Sequence, residues 1–255
     1  MIRHRLGIGL LASALLAGMT LAWNVTVASA ALADDSLAGK VIVLDPGHQL
    51  GNGNPKFADE VNATRWNGTL QKGCNTTGAA TNQGYPEATF TWKVVKRLAQ
   101  SLRAKGATVH VTRTANSRNL WGPCTWDRAA FANEHKADIL VSVHADGAPS
   151  EGRGFFVIAP GRLSGWTDDI VKPSRQLARS MISGMTDAGA VPSTYIDDQL
   201  LVWTNQSTLN FSDVPAVIVE VGNMRNKADA TLMSHAKGQK AYAAALEAGI
   251  LRYFA

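Results

Sequence analysis

VIVLDPGH (41–48), ILVSVHAD (139–146) and AVIVEVGN (216–223) each open with a near-continuous run of β-branched and aliphatic residues. Runs of this kind belong to strands buried on both faces, as in a parallel sheet with helices packed on either side. The first two runs end in His48 and His144, and the third carries Glu220 late in an otherwise apolar stretch. Sites in open α/β sheets form beyond the carboxyl ends of the strands. Two imidazoles and a carboxylate delivered to one rim therefore predict a metal-assisted catalytic centre, and zinc suits that donor set.

The segments between these runs complete the pattern. Phe90, Val94, Leu98 and Leu102 recur every four residues, which predicts a helix over 87–105 between Pro86 and Gly106. Strands are expected at 107–113, 152–159 and 200–203. Helices are expected at 127–136 and 173–188, and a closing helix at 234–254, preceded by a loop at 223–226. The fold class is thus α/β: one domain with a twisted, mostly parallel sheet of about six strands and helices on both faces. The stretch 49–86, rich in Gly, Asn and Thr, is too long for an ordinary connection. It is read as an ordered wall of the site, with room for a short hairpin.

The N-terminus has the pattern of an export signal. Arg3 and Arg5 precede an apolar run from Leu6 to Trp23, followed by Ala28-Ser29-Ala30 and Ala31-Leu32-Ala33 as small-x-small cleavage patterns. Residues 1–33 are expected to be a signal peptide and 34–255 the catalytic domain; a retained signal anchor is the competing reading. The formal charge is +5, and subtracting Arg3 and Arg5 leaves +3. This mild excess, with no basic run, excludes a nucleic-acid partner as an expectation. Cys74 and Cys124 are the two cysteines. In an exported chain they are expected to form a disulfide closing a loop of about 50 residues, with free thiols or a nucleophilic cysteine as the rivals.

Among six histidines, His4 belongs to the signal, His110 lies mid-strand, and His135 and His235 are expected at polar, solvated positions. Glu87 is the best third partner for His48 and His144, because it opens a helix after a loop. It also has the simpler reading of a carboxylate favouring a helix N-terminus. Asp45 and Asp146 are candidates for orienting the loop or a ligand histidine. Glu220 is either a hydrogen-bonded core acid or a general acid/base.

Taken in order, these residues resemble the zinc-dependent N-acetylmuramoyl-L-alanine amidases of the type 3 class. The carriers are Asp45-Pro46-Gly47-His48, Glu87, Gly106, Val109, Thr112-Arg113, Arg128, Ala132-Asn133 and Ala137-Asp138, followed by Ser142-Val143-His144-Ala145, Pro215 to Gly222, and Asn226. The long 49–86 loop with Cys74 is similar to actinobacterial, particularly mycobacterial, members. The resemblance implies His48, Glu87 and His144 as Zn2+ ligands and Glu220 as the catalytic acid/base, with no other cofactor. It implies peptidoglycan or muropeptides as the substrate, and action as a secreted, periplasmic or cell-wall-associated protein. A monomer without a membrane span after signal cleavage is expected. The same donor set would serve a cell-wall carboxypeptidase or deacetylase, and the fold alone would serve a non-catalytic peptidoglycan-binding protein. Two departures stand out: Asp146 in place of the usual Asn, and Asn223-Met224-Arg225 in place of a Phe-containing loop, expected to alter the cleft wall.

Overall fold

Alternation along the three apolar runs decides how the chain packs. The computed structural model describes Met1 and residues 34–255, so the expected signal peptide lies outside the described residues. In chain order the elements are β1 (Val41–Pro46), α1 (Ala58–Asn62), β2 (Thr64–Trp66), β3 (Gln71–Gly73), α2 (Glu87–Ala104), β4 (Thr108–Val111), α3 (Thr125–Glu134) and β5 (Ile139–Asp146). They continue with β6 (Phe156–Pro160), α4 (Val171–Asp187), β7 (Leu200–Trp203), α5 (Ser207–Asn210), β8 (Ala216–Asn223), α6 (Lys227–Ser234) and α7 (Ala236–Phe254).

Six strands form one sheet in the order β4-β1-β5-β8-β6-β7, and β2 pairs with β3 as a separate hairpin. Strands β4, β1, β5 and β8 run parallel, whereas β6 lies antiparallel to β8 with β7 parallel to β6. The sheet is therefore mixed, with mostly parallel pairings, as the apolar runs predicted.

On one face, Ile42, Leu44, Val141, Val143, Val217 and Val219 pack under α2, α4 and α7 in the larger core. On the other, Val43, Leu140, Phe156 and Ile218 meet Ala132 of α3 and Leu209 of α5. Because strand side chains alternate, Asp45, Ser142, His144 and Glu220 all belong to this second face. Its helices are short and leave the floor open toward β6 and β7, where a cleft forms.

Among the described residues, no helix is long and apolar enough to cross a membrane. Cys74 and Cys124 form the expected disulfide, with no free cysteine. It ties the end of the β2–β3 hairpin to the start of α3. Full reduction is expected to lower the melting temperature by up to about 10 °C, since closure of a loop this long is worth up to about 4 kcal/mol. Calorimetry with and without a thiol-free phosphine reductant measures this, and an unchanged transition in fully reduced protein would contradict it.

Three details depart from expectation. The strand expected at 152–159 begins only at Phe156, because Arg153 and Gly154 spend their N–H groups on Thr194 and Asp229. Residues 227–234 form a separate helix, α6, capped by the Asn226 side chain, and His235 in an extended conformation breaks it from α7. His135 is half-buried rather than solvated: its ring lies 4.0 Å from His110 and 4.2 Å from Phe131, and its Nδ1 is 2.8 Å from the Phe131 carbonyl.

Candidate active site

The Asp45-Pro46-Gly47-His48 turn places His48 at φ 60, a left-handed conformation that costs a non-glycine residue energy and persists only when its surroundings enforce it. Two buried arginines do so. Arg128 donates to the carbonyls of Pro46 and His48, each at 3.0 Å. Arg113 donates to Pro46 at 3.0 Å and to Ala88 of α2 at 2.7 Å. Asp45, fully buried, pairs with Arg128 and accepts from the hydroxyls of Thr112 and Ser142. Burial alone would raise the proton affinity of Asp45. The Arg128 charge and the two hydroxyls outweigh it and hold the carboxyl below its ordinary value. Of its two expected roles, Asp45 thus takes the loop-orienting one, through Arg128, and makes no bond to a histidine ring.

His48 Nε2, His144 Nδ1 and Glu87 Oε1 converge at separations of 3.1, 3.0 and 3.2 Å. His48 Nδ1 lies 3.0 Å from the Thr76 carbonyl, so that nitrogen carries the proton and Nε2 presents its lone pair. Glu87 follows Pro86 at the first turn of α2, which both of its sequence readings required. Its Oε2 accepts from the Ala79 N–H at 2.7 Å and its Oε1 from the Ala145 N–H at 3.0 Å, fixing the carboxylate against the histidines. Burial opposes its charge, but His48 and His144 overcome that and lower its proton affinity. Burial pulls His48 down as well, yet the Glu87 charge leaves it raised; His144, where burial dominates, is lowered.

Two glycines make this approach sterically feasible. A Cβ on Gly47 would lie 2.3 Å from the His144 ring, and one on Gly78 would lie 2.6 Å from Glu87 Oε2 and 2.7 Å from His48 Cδ2. In the sequence, Gly47, Arg113 and Arg128 stand out only as carriers of the resemblance, with no structural role, and Gly78 is not singled out; Pro-Gly before a histidine and the one Arg in α3 are the available signals.

Three lone-pair donors meeting at one point suit a cation. A tetrahedral ion with ligands at about 2.0–2.1 Å would have ligand atoms roughly 3.3–3.4 Å apart, close to the separations found. The donor set therefore fits zinc.

Glu220 is the cross-strand neighbour of His144 on one side and of Phe156 on the other. Its Oε2 is sealed from solvent and accepts no hydrogen bond from the described residues, so it is not a satisfied core acid. Burial, then the charges of Glu87 and Asp146, raise its proton affinity well above that of an ordinary carboxyl. Asp146 accepts from the Tyr195 hydroxyl at 3.0 Å and from the Gly147 N–H at 2.7 Å, so of its two expected roles it takes the loop-orienting one and makes no hydrogen bond to a histidine among the described residues. All of these acids border a cleft of about 700 Å³, whose wall includes Lys72, Asn75 and Thr76 of the 49–86 stretch. That stretch is thus the ordered wall expected of it. Asn223, Met224 and Arg225 are not part of the lining: Met224 is buried in the core, the Asn223 amide holds the carbonyls of Pro149 and Gly152, and Arg225 reaches Asn82.

Fold and site together define a hydrolytic enzyme of the α/β type whose reactive groups lie on the open face of a mixed sheet. The family model described as N-acetylmuramoyl-L-alanine amidase matches residues 42–252, and the chain belongs to that family. It is 38% identical over 235 residues to an N-acetylmuramoyl-L-alanine amidase of Mycobacterium tuberculosis, covering 90% of this chain and 92% of that one. The solved amidase Ami1 of Mycobacterium smegmatis is similar at TM-score 0.77 and 35% identity, over 85% of this chain and 97% of that one. Ami1 of Mycobacterium abscessus is similar at TM-score 0.78 and 36% identity, over 86% and 100%.

Proposed function

We propose that this protein is a peptidoglycan hydrolase that cleaves the amide between the lactyl group of N-acetylmuramic acid and L-alanine, with Zn2+ held by His48, Glu87 and His144. The single observation carrying the reading is the triangle of three lone-pair donors beside an unpartnered carboxylate in an open cleft. Zinc bound there would supply Lewis-acid polarisation of the scissile carbonyl and acidify the attacking water. Glu220 is the acid/base: it takes the proton from that water and returns it to the departing amine of L-alanine. Glu87, already anchored by two backbone N–H groups, is spent on holding and not on proton transfer. Residues 1–33 direct export and are removed, placing the enzyme at the cell wall. The intact donor set argues against a non-catalytic binding protein. Family membership favours the amidase over a carboxypeptidase or deacetylase.

Defined muropeptides analysed by mass spectrometry test the reaction. Release of intact stem peptide from N-acetylmuramic acid is expected, with loss on chelation and return on adding zinc. Loss of a terminal D-alanine or of an acetyl group would identify one of the rivals instead. Purified enzyme is expected to hold about one zinc per chain, and full occupancy in a His48→Ala/His144→Ala variant would overturn the ligand assignment.

A further inference from the structure

Beyond Glu220, the cleft floor continues as rows of same-face side chains. His144, Glu220 and Phe156 form the first row, and Ile218, Ile158 and Leu201 the second. Trp203, two residues past Leu201 on the edge strand β7, stands beyond them with 41% of its surface exposed. At about 3.3–3.4 Å per residue these rows extend about 13 Å along the strands, the span of roughly four extended peptide residues. The floor is apolar after its first row.

Among the described residues, the lining has one unengaged cation to offer. Lys72, on β3, lines the cleft, and among the described residues it has neither an ion-pair partner nor a side-chain hydrogen bond. The other permanent cation of the lining, Arg128, is consumed by Asp45 and the backbone of the His48 turn. Lys72 is also firmly carried. The Cys74–Cys124 disulfide clamps its strand to α3 two residues away, and the hairpin tip is tied to the segment after β7 by Asn67 and Asn210.

We infer that the floor from Glu220 to Trp203 receives the stem peptide, and that Lys72 selects stems bearing a free carboxylate by pairing with it. The inference rests on the amidase reading and adds the direction of the substrate and a specificity residue. The chemistry of the substrate favours the peptide over the glycan here. In the uncleaved substrate the lactyl carboxyl is tied up as the scissile amide, so N-acetylated sugars bring no charge to a lysine. The acidic residues of the stem do. Small side chains along an extended peptide also suit a floor of Ile, Leu and Phe, which has few hydrogen-bonding groups for sugar hydroxyls.

The test compares wild type with Lys72→Met and Lys72→Arg, all zinc-loaded, on two synthetic muropeptides that differ only in having their stem carboxylates free or amidated. Methionine keeps most of the apolar stem on an exposed hairpin, so the fold is retained. For the free-carboxylate substrate, Lys72→Met is expected to raise KM about tenfold with kcat changed less than twofold, and Lys72→Arg to restore most of the loss. On the amidated substrate wild type is expected to lose its advantage over Lys72→Met. Equal behaviour of the two on both substrates, or the same loss on both, overturns the assignment while leaving the amidase reading intact. A third substrate with the same stem on a longer glycan tests the sugars: a KM that responds more to its glycan than to stem charge assigns the groove to the sugars and also overturns the inference. Failure of wild type to cleave either substrate removes the amidase reading itself, and the inference with it.

Discussion

Glu220→Gln is expected to fold, retain its zinc and bind muropeptide, yet lose turnover by about 10²–10⁴-fold, the usual contribution of a positioned acid/base. The geometry separates its role from metal binding. Glu220 is the next side chain across the sheet from His144, but it is absent from the close triangle of ligand atoms. Glutamine keeps the volume and loses the ability to take a proton. Single-turnover kinetics on a defined muropeptide, with metal analysis of the same sample, measures both halves. Near-normal turnover in a zinc-loaded variant would reject the assignment.

The same substitution has a stability signature in metal-free protein. Burial, Glu87 and Asp146 raise the proton affinity of Glu220 in the folded state. The folded chain then binds this proton more tightly than the unfolded chain, so the contribution is full below the ordinary carboxyl pKa and is lost as pH rises through the folded value. Glu220→Gln removes that loss. Its melting temperature relative to wild type is expected to rise from acidic to alkaline pH, with the two proteins converging near pH 4. A difference that does not change with pH would contradict it.

Arg128→Ala is expected to destabilise the domain by about 3–5 kcal/mol, because it strands the buried Asp45 carboxylate without its partner. Asp45 is 0% and Arg128 2% exposed, so water cannot replace the lost contact. Arg128 also holds the carbonyls of Pro46 and His48, and its loss releases the left-handed turn that aims His48. Urea unfolding reports the first effect and zinc affinity the second. Removing Asp45 as well should recover part of the stability and none of the zinc affinity, since the turn stays ungripped. A single variant within about 0.5 kcal/mol of wild type would show that the pair does not carry this region.

Much of this was written in local pattern. The apolar runs 41–44, 139–141 and 216–219 specify strands because such short, near-continuous aliphatic and β-branched runs suit a strand buried on both faces. The period of Phe90, Val94, Leu98 and Leu102 specifies α2 for the matching reason. Helix α6 escaped because its start, Lys227-Ala228-Asp229, is polar and its cap depends on one side chain, Asn226. The half-burial of His135 escaped because its ring lies against His110 of a strand distant in sequence.

The sequence by itself determined the strands, the main helices, the cysteine pairing and which residues were chemically competent; alternation assigned His144 and Glu220 to their faces once the strands were placed. Only the tertiary structure decided the distances among His48, Glu87 and His144. Those depend on a left-handed turn gripped by two arginines and on two glycines whose missing side chains let imidazole and carboxylate close to about 3 Å. It also decided that Asp45 serves Arg128 while Glu220 stays unpartnered. Strand period and helix period are properties of neighbouring residues, but the desolvation and pairing of a buried charge are set by whichever distant segments fold over it.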